Sequence, residues 1–242
     1  MATAEIPAET SIDVQHTQKM SQKNIWELQG PMLQRQKRRA QVISRSLKRD
    51  KVKRILDIGC AEGYTTSFIS EVCDLVIGIE LNMESLKVAK SKVKRGMFIS
   101  ASIEYLPFRA NCFDTVCILE VLEHLPSEVQ RKGLKEADRV LRDNQGLVIS
   151  VPYKEQVIQT TCVHCKKPTP MYGHLHSLDV EKVSSLVPDN FKLIEVYHLP
   201  NIQIISCSNF LKPSPLMIWL RINSLLGLVR KGYWIIVKYQ KI

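Results

Sequence analysis

The stretch that most constrains this chain is Ile55-Leu56-Asp57-Ile58-Gly59-Cys60-Ala61-Glu62-Gly63, an apolar run ending in an acid and two glycines. A helical pattern follows it at once. Strand, glycine-bearing turn and helix in that order open a parallel α/β unit. Apolar runs recur at 52–58, 75–80, 97–100, 113–119 and 146–152, separated by helical patterns at 62–72, 83–94 and 127–142. In the last of these Val129, Leu134, Ala137 and Leu141 fall on one side. Strands covered by helices on both faces read as unbroken apolar runs, as these do. After Pro152 come a short helical pattern at 178–186 and two further runs at 191–197 and 233–239. The expectation is an α/β fold: a doubly wound, seven-stranded, mostly parallel sheet with its last strand antiparallel. Residues 1–22 read as a flexible polar tail and 23–52 as a basic helical segment. Residues 53–242 read as the main domain, with inserts near 157–176 and 199–232.

A glycine turn after a first strand lets backbone approach a ligand closely. The dinucleotide fingerprint requires glycine at three positions that here are Gly59, Ala61 and Tyr64, so its spacing fails. No Gly-Lys-Ser/Thr follows either, and the turn has no need of a phosphate. Glu80 ends the second strand about 20 residues on, where an acid can accept from both hydroxyls of a ribose. A nucleoside with a free diol and a non-phosphate tail meets both conditions, and S-adenosylmethionine is such a molecule.

The ordered set Asp57-Ile58-Gly59-Cys60-Ala61-Glu62-Gly63, Glu80, Leu106-Pro107-Phe108, Phe113-Asp114-Thr115-Val116, Val121-Leu122-Glu123-His124-Leu125 and Arg139-Val140-Leu141-Arg142 resembles the motifs of class I S-adenosylmethionine-dependent methyltransferases of the type 11 kind. The resemblance covers roughly residues 50–152 and implies a role for each matching position. Asp57 would orient the amino-acid end of the cofactor, lined by Gly59, Cys60, Ala61 and Gly63. Glu80 would hold the ribose, Leu81 would lie against the adenine, and Ser102 and Ile103 would meet its amino edge. Leu119 and Glu120 would face the methionine portion. Two positions depart from the pattern. Ala61 replaces a commoner glycine, which reads as a mild change, and Ser102 stands where an acid is usual.

Glu120, Glu123 and His124, if helical, stand at i, i+3 and i+4 on one face. The trio resembles the Glu-x-x-Glu-His cluster of metal-assisted methyltransferases, which implies magnesium ligands, His174 or His176 as a further one, and Glu120 and His124 as catalytic groups. The alternative is that Leu-Glu-His caps a helix and binds no metal. Cys162-Val163-His164-Cys165, followed by His174 and His176, carries half of a tetrahedral zinc pattern. Structural zinc on Cys162, Cys165, His174 and His176, a metal-free dithiol, and histidines reserved for the carboxylate cluster all remain open.

Lys and Arg total 34 against 24 Asp and Glu, a formal charge of +10. Ten of the basic residues lie between Arg35 and Arg54, beside the single acid Asp50. That run reads as a solvated helix face, or as a contact for RNA or an anionic membrane surface. The stretch 216–229 is apolar on most faces and reads as a buried helix, an acceptor pocket or an interfacial segment. Seven cysteines, an odd count, and the lack of a secretory or spanning pattern point to a reducing cytoplasm, with peripheral membrane contact left open. The expected activity is methyl transfer to a small or lipid-like acceptor at oxygen. An RNA methyltransferase and a non-catalytic cofactor-binding partner subunit are the alternatives.

Overall fold

The computed structural model describes residues 24–162, 166–200, 218 and 232–242. Helix α1 (Gly30–Asp50) leads into β1 (Arg54–Ile58), α2 (Tyr64–Ile69), β2 (Leu75–Glu80), α3 (Met83–Lys92) and β3 (Met97–Ser100). The chain then crosses to β4 (Phe113–Leu119), a 3-10 turn (Leu122–His124), α4 (Ser127–Val140) and β5 (Leu141–Pro152). A hairpin of β6 (Gln159–Thr161) and β7 (Pro168–Pro170) precedes α5 (Val180–Leu186), β8 (Phe191–Pro200) and β9 (Gly232–Lys241). Seven strands form one sheet in the order β3-β2-β1-β4-β5-β9-β8, with β9 antiparallel to both of its neighbours. The expected sheet is present, strand for strand. The chain leaves β1 in one direction to build β2 and β3, then returns to the other side for β4. That reversal opens a crevice at the carboxyl ends of β1 and β4.

Helix α1 is not a solvated arm. Ala40, Ile43 and Leu47, spaced i, i+3 and i+7, are all buried. Val42, Ile43 and Leu47 share one apolar cluster with Ile55 of β1, Val76 of β2 and Trp234 of β9. Full burial of an aliphatic side chain stabilises a fold by roughly 1.5–3 kcal/mol, so this stripe holds the helix on the sheet. Two of its arginines, Arg38 and Arg39, are buried as well, contrary to the solvated-face reading. A third, Arg49, pairs with Glu195, and Asp50 at the end of the helix takes Lys238 of β9. The helix stops at Lys51, whose left-handed backbone (φ 53°) returns its N–H to the Lys48 carbonyl.

The opposite face of the sheet is covered by α4. Gly133 is required there, because a Cβ would come within 2.6 Å of Ile103. Arg139 donates to the Phe108 and Leu106 carbonyls at 2.8 and 3.0 Å and fixes the Leu106-Pro107-Phe108 loop. The first insert contains the β6–β7 hairpin, paired from Gln159↔Pro170 to Thr161↔Pro168. The tail at 1–22 and the stretch 216–229, apart from Ile218, lie outside the described residues. Among the described residues no helix is long and apolar enough to cross a membrane.

Candidate active site

The turn after β1 is built for close approach. Gly59 (φ +72°) and Gly63 (φ +77°) adopt left-handed backbone, and a Cβ on Gly59 would strike Val121 Cγ2 at 2.4 Å. Only glycine fits there. The Gly59 and Cys60 amides donate to the Ile79 carbonyl at 2.9 and 3.0 Å, which ties the turn to β2. Ala61 shares the left-handed region at φ 44°. Its replacement of glycine is therefore not mild, since a Cβ in that region costs roughly 1–2 kcal/mol.

Two carboxylates flank the turn. Asp57, 2% exposed, accepts from Thr66 Oγ1 at 2.6 Å. Burial raises its pKa to about 6, against the opposing effects of that bond and of the nearby Arg39 guanidinium. Glu80 Oε1 accepts from the Leu81 and Asn82 amides at 2.8 and 2.9 Å, and Oε2 from the Ala61 amide at 3.2 Å. Leu81 is 56% exposed beside it. Cys60 is buried, and burial holds its thiol far above the usual range. Ser102 Oγ accepts from the Glu104 amide at 3.2 Å, and Ile103 turns its side chain into the core under Gly133. Leu119 is likewise committed to packing, in the cluster that α1 completes. Ahead of α1, Trp26 Nε1 donates to the Glu62 carbonyl and the Ile25 amide to Glu62 Oε2, both at 2.8 Å, so the N-terminal segment docks on the turn.

At the end of β4 the structure corrects the sequence expectation. Glu120 is not on a helix with Glu123 and His124. It takes left-handed backbone (φ 58°), and its carboxylate is held by Arg39 Nη1 at 2.9 Å and Ser150 Oγ at 2.8 Å. The helical face fails because the chain bends at Glu120 before the 3-10 turn begins. The group that does converge is Glu123, His124 and His174, with one ligand atom of each within 4.8 Å of the others. Glu123 is 1% exposed, and neither carboxylate oxygen has a hydrogen-bond partner. Burial, followed by the neighbouring Glu120 charge, pushes its pKa well above the usual carboxylate range.

The two imidazoles are oriented alike. His124 Nδ1 lies 3.1 Å from the Gly173 carbonyl, which can only accept, so Nδ1 carries the proton. Burial, then the adjacent His174, lowers the His124 pKa to about 4, and the ring is neutral with a lone pair on Nε2. His174 Nδ1 contacts Glu155 Oε2, which leaves its Nε2 for the cluster. His174 arrives there because the Leu175 and His176 amides donate to the Glu123 carbonyl at 2.7 and 3.3 Å. His176 is excluded from the cluster, as its Nε2 bonds the Leu125 carbonyl at 2.9 Å. Of the four residues read as a zinc set, His174 turns to Glu123 and His124, and His176 bonds Leu125. Cys165 lies outside the described residues, and Cys162 is half-buried at their edge.

Residues 56–149 match the family model for a methyltransferase domain. Over those residues the chain is similar to S-adenosylmethionine-dependent methyltransferases. A probable S-adenosylmethionine-dependent methyltransferase of Mycobacterium tuberculosis is 28% identical over 154 residues, 63% of this chain and 53% of that protein. A ubiquinone biosynthesis O-methyltransferase of Haemophilus ducreyi is 30% identical over 102 residues, 37% of this chain and 43% of that one. In fold, the chain superposes on the N-methyltransferase NodS of Bradyrhizobium japonicum WM9 in complex with S-adenosyl-L-homocysteine. The TM-score is 0.62 at 15% identity, covering 95% of this chain and 97% of NodS. The chain spans between half and two thirds of the length of the first curated relatives it matches.

The chain's own residues suit both groups that the sequence suggested. The turn has a cradle that a Cβ at Gly59 would close, and an acid stands at the tip of β2. The Glu123 group offers an orphaned carboxylate and two imidazoles with free Nε2 atoms, a donor set suited to a metal ion. Sequence reasoning misses Arg39 and Glu155 as site residues. Arg39 follows Arg35 by four residues on the buried side of α1, but the surrounding run of basic residues hides that spacing. Glu155 carries no sequence signal, since only the fold of the insert brings it to His174.

Proposed function

We propose that this methyltransferase acts on a hydroxyl of a small or lipid-like acceptor, with a divalent cation held by Glu123, His124 and His174 beside that oxygen. The supporting observation is Glu123, a buried carboxylate with both oxygens unbonded, grouped with two histidines whose Nδ1 atoms are already engaged. An unpaired buried carboxylate is costly, and a cation is the partner that this donor geometry suits. Two imidazoles and one carboxylate favour a transition-metal ion over magnesium, which prefers oxygen ligands and bound water. The cation would lower the pKa of a hydroxyl bound to it.

S-adenosylmethionine supplies a methyl group on a sulfonium, already a good leaving group. Alignment is then the chain's main task, and it can contribute roughly 7–11 kcal/mol. Asp57 would take the ammonium of the amino-acid end, with Gly59, Cys60, Ala61 and Gly63 around it. Glu80 would accept from the ribose diol, with Leu81 on the adenine face, and Ser102 with the main chain of Ile103 at the amino edge. Glu120, fixed by Arg39 and Ser150, borders the methionine portion rather than the cation. The methyl–sulfur bond breaks as the methyl–oxygen bond forms, and the hydroxyl proton leaves to solvent.

The test uses the full chain with methyl-labelled cofactor and a cell extract, followed by separation of lipid, RNA, protein and small molecules. Label is expected in a small-molecule or lipid fraction, lost in EDTA and restored by Mn²⁺ better than by Mg²⁺. Undiminished turnover in EDTA would overturn the cation, and label in RNA alone would overturn the acceptor class.

A further inference from the structure

Helix α1 places two guanidinium groups, Arg35 and Arg39, near the start of β9, and Arg39 pairs with the Glu120 carboxylate. Arg39 is 7% exposed, stacks on Trp234 with its guanidinium carbon 4.9 Å from the ring centroid, and engages Glu120 through Nη1. Its Nε is buried without a partner. One turn earlier, Arg35 stacks on Tyr233 at 5.2 Å, and its Nε is also buried and unpartnered. Among the described residues Arg35 has no carboxylate partner. Gln36 Oε1, beside it, is a third buried polar atom without a bond. Tyr233 and Trp234 begin β9 next to the carboxyl end of β5, where Trp234 pairs with Pro152. The Tyr153 amide donates to the Tyr233 carbonyl at 2.9 Å.

Stacking on the rings fixes the plane of each guanidinium, so the donors are held in set directions before any ligand arrives. Buried donors without acceptors are unfavourable, and more so for charged groups. Lys48, also on α1, is exposed.

We infer that Arg35 and Arg39, stacked on Tyr233 and Trp234, form a subsite for an oxyanion group of the acceptor, a carboxylate or a phosphate. The inference rests on the proposal that the acceptor lies at this end of the sheet, and it narrows the acceptor to an anionic molecule. Planar forks of this kind suit bidentate oxyanions, and the free donors supply what a neutral acceptor could not use.

Direct binding tests the subsite without any turnover. The full chain, saturated with S-adenosyl-L-homocysteine so that the cofactor's own carboxylate is already seated, is titrated calorimetrically with sodium benzoate and, separately, with inorganic phosphate. Ionic strength is held constant with sodium chloride. Saturable binding of at least one anion is expected, and the tighter of the two identifies carboxylate or phosphate. Arg35→Leu should weaken it by about tenfold or more, while Lys48→Ala leaves it unchanged. Binding of neither anion overturns the subsite, as does equal loss in Lys48→Ala, which would reveal only a general field. If Arg35→Leu does not fold, Arg35→Lys decides, because it keeps the charge without the fork. Unchanged affinity in that variant overturns the proposal. Because no methyl transfer is measured, a negative result here leaves the metal-assisted reaction to its own test.

Discussion

The two halves of the crevice differ in how completely they are bonded. On the β1–β2 side the polar groups are satisfied: Glu80 accepts from three amides and Asp57 from Thr66. On the β4–β5 side, Glu123, Arg35 and Arg39 all carry buried polar atoms without partners. A half that is already bonded is held rigid for a constant ligand. A half with orphaned groups stores a cost that only its own ligands relieve. On the function proposed above, the cofactor belongs to the first half and the metal and acceptor to the second.

The largest effect should come from the second half. Glu123→Met removes a buried carboxylate that nothing bonds, so the metal-free protein should melt at a higher temperature, by roughly 1–3 kcal/mol of added stability. The same change should lower methyl transfer by at least about 100-fold and abolish Mn²⁺ binding. A lower melting temperature with retained turnover would reverse the contrast between the halves. Next, Glu80→Ala should weaken S-adenosyl-L-homocysteine binding by at least about tenfold, about 1.4 kcal/mol, by calorimetry. An unchanged affinity would remove the ribose from Glu80.

The pH response distinguishes the halves from another direction. Asp57 titrates near 6 in the folded chain and from 3.8 when unperturbed, so the native state binds the proton more tightly. Its contribution to stability without ligand is full below the unperturbed value and is lost as pH rises through about 6. Cofactor affinity should move the opposite way, because the ammonium requires the ionised acid. Calorimetry should show it falling by up to about tenfold per unit below pH 6. A flat profile from pH 5 to 7 would detach Asp57 from the ammonium.

The first half is legible in the sequence and the second only partly. Sheet order and cofactor turn follow from local patterns: apolar runs, glycine spacing and an acid at a strand tip. These lie within a few residues of what they control. Glu123 and His124 are visible for the same reason. Glu120 escapes the sequence because its departure from a helix is a single left-handed residue, held by Arg39 and Ser150 from distant segments. Spacing does not separate His174 from His176. Their division depends on backbone bonds to Glu123 and Leu125 that only the folded insert makes. Long-range polar pairing leaves no period in a sequence, whereas packing does.

Ala61 gives the smallest effect and the sharpest probe of the bonded half. Its φ of 44° places a Cβ where glycine would carry none, while its amide still reaches Glu80 Oε2 at 3.2 Å. Ala61→Gly should remove a strain of about 1–2 kcal/mol from the native state. It also gives the unfolded chain more freedom, which returns roughly 0.4–1 kcal/mol of that gain. The net expectation is a rise in stability of roughly 0–1.6 kcal/mol, read as a small upward shift in thermal midpoint. If the strain is released equally with and without ligand, S-adenosyl-L-homocysteine affinity stays within about twofold. A marked loss of affinity would mean that the strained turn itself aims the Ala61 amide at Glu80, and that the bonded half is held in shape by strain as well as by hydrogen bonds.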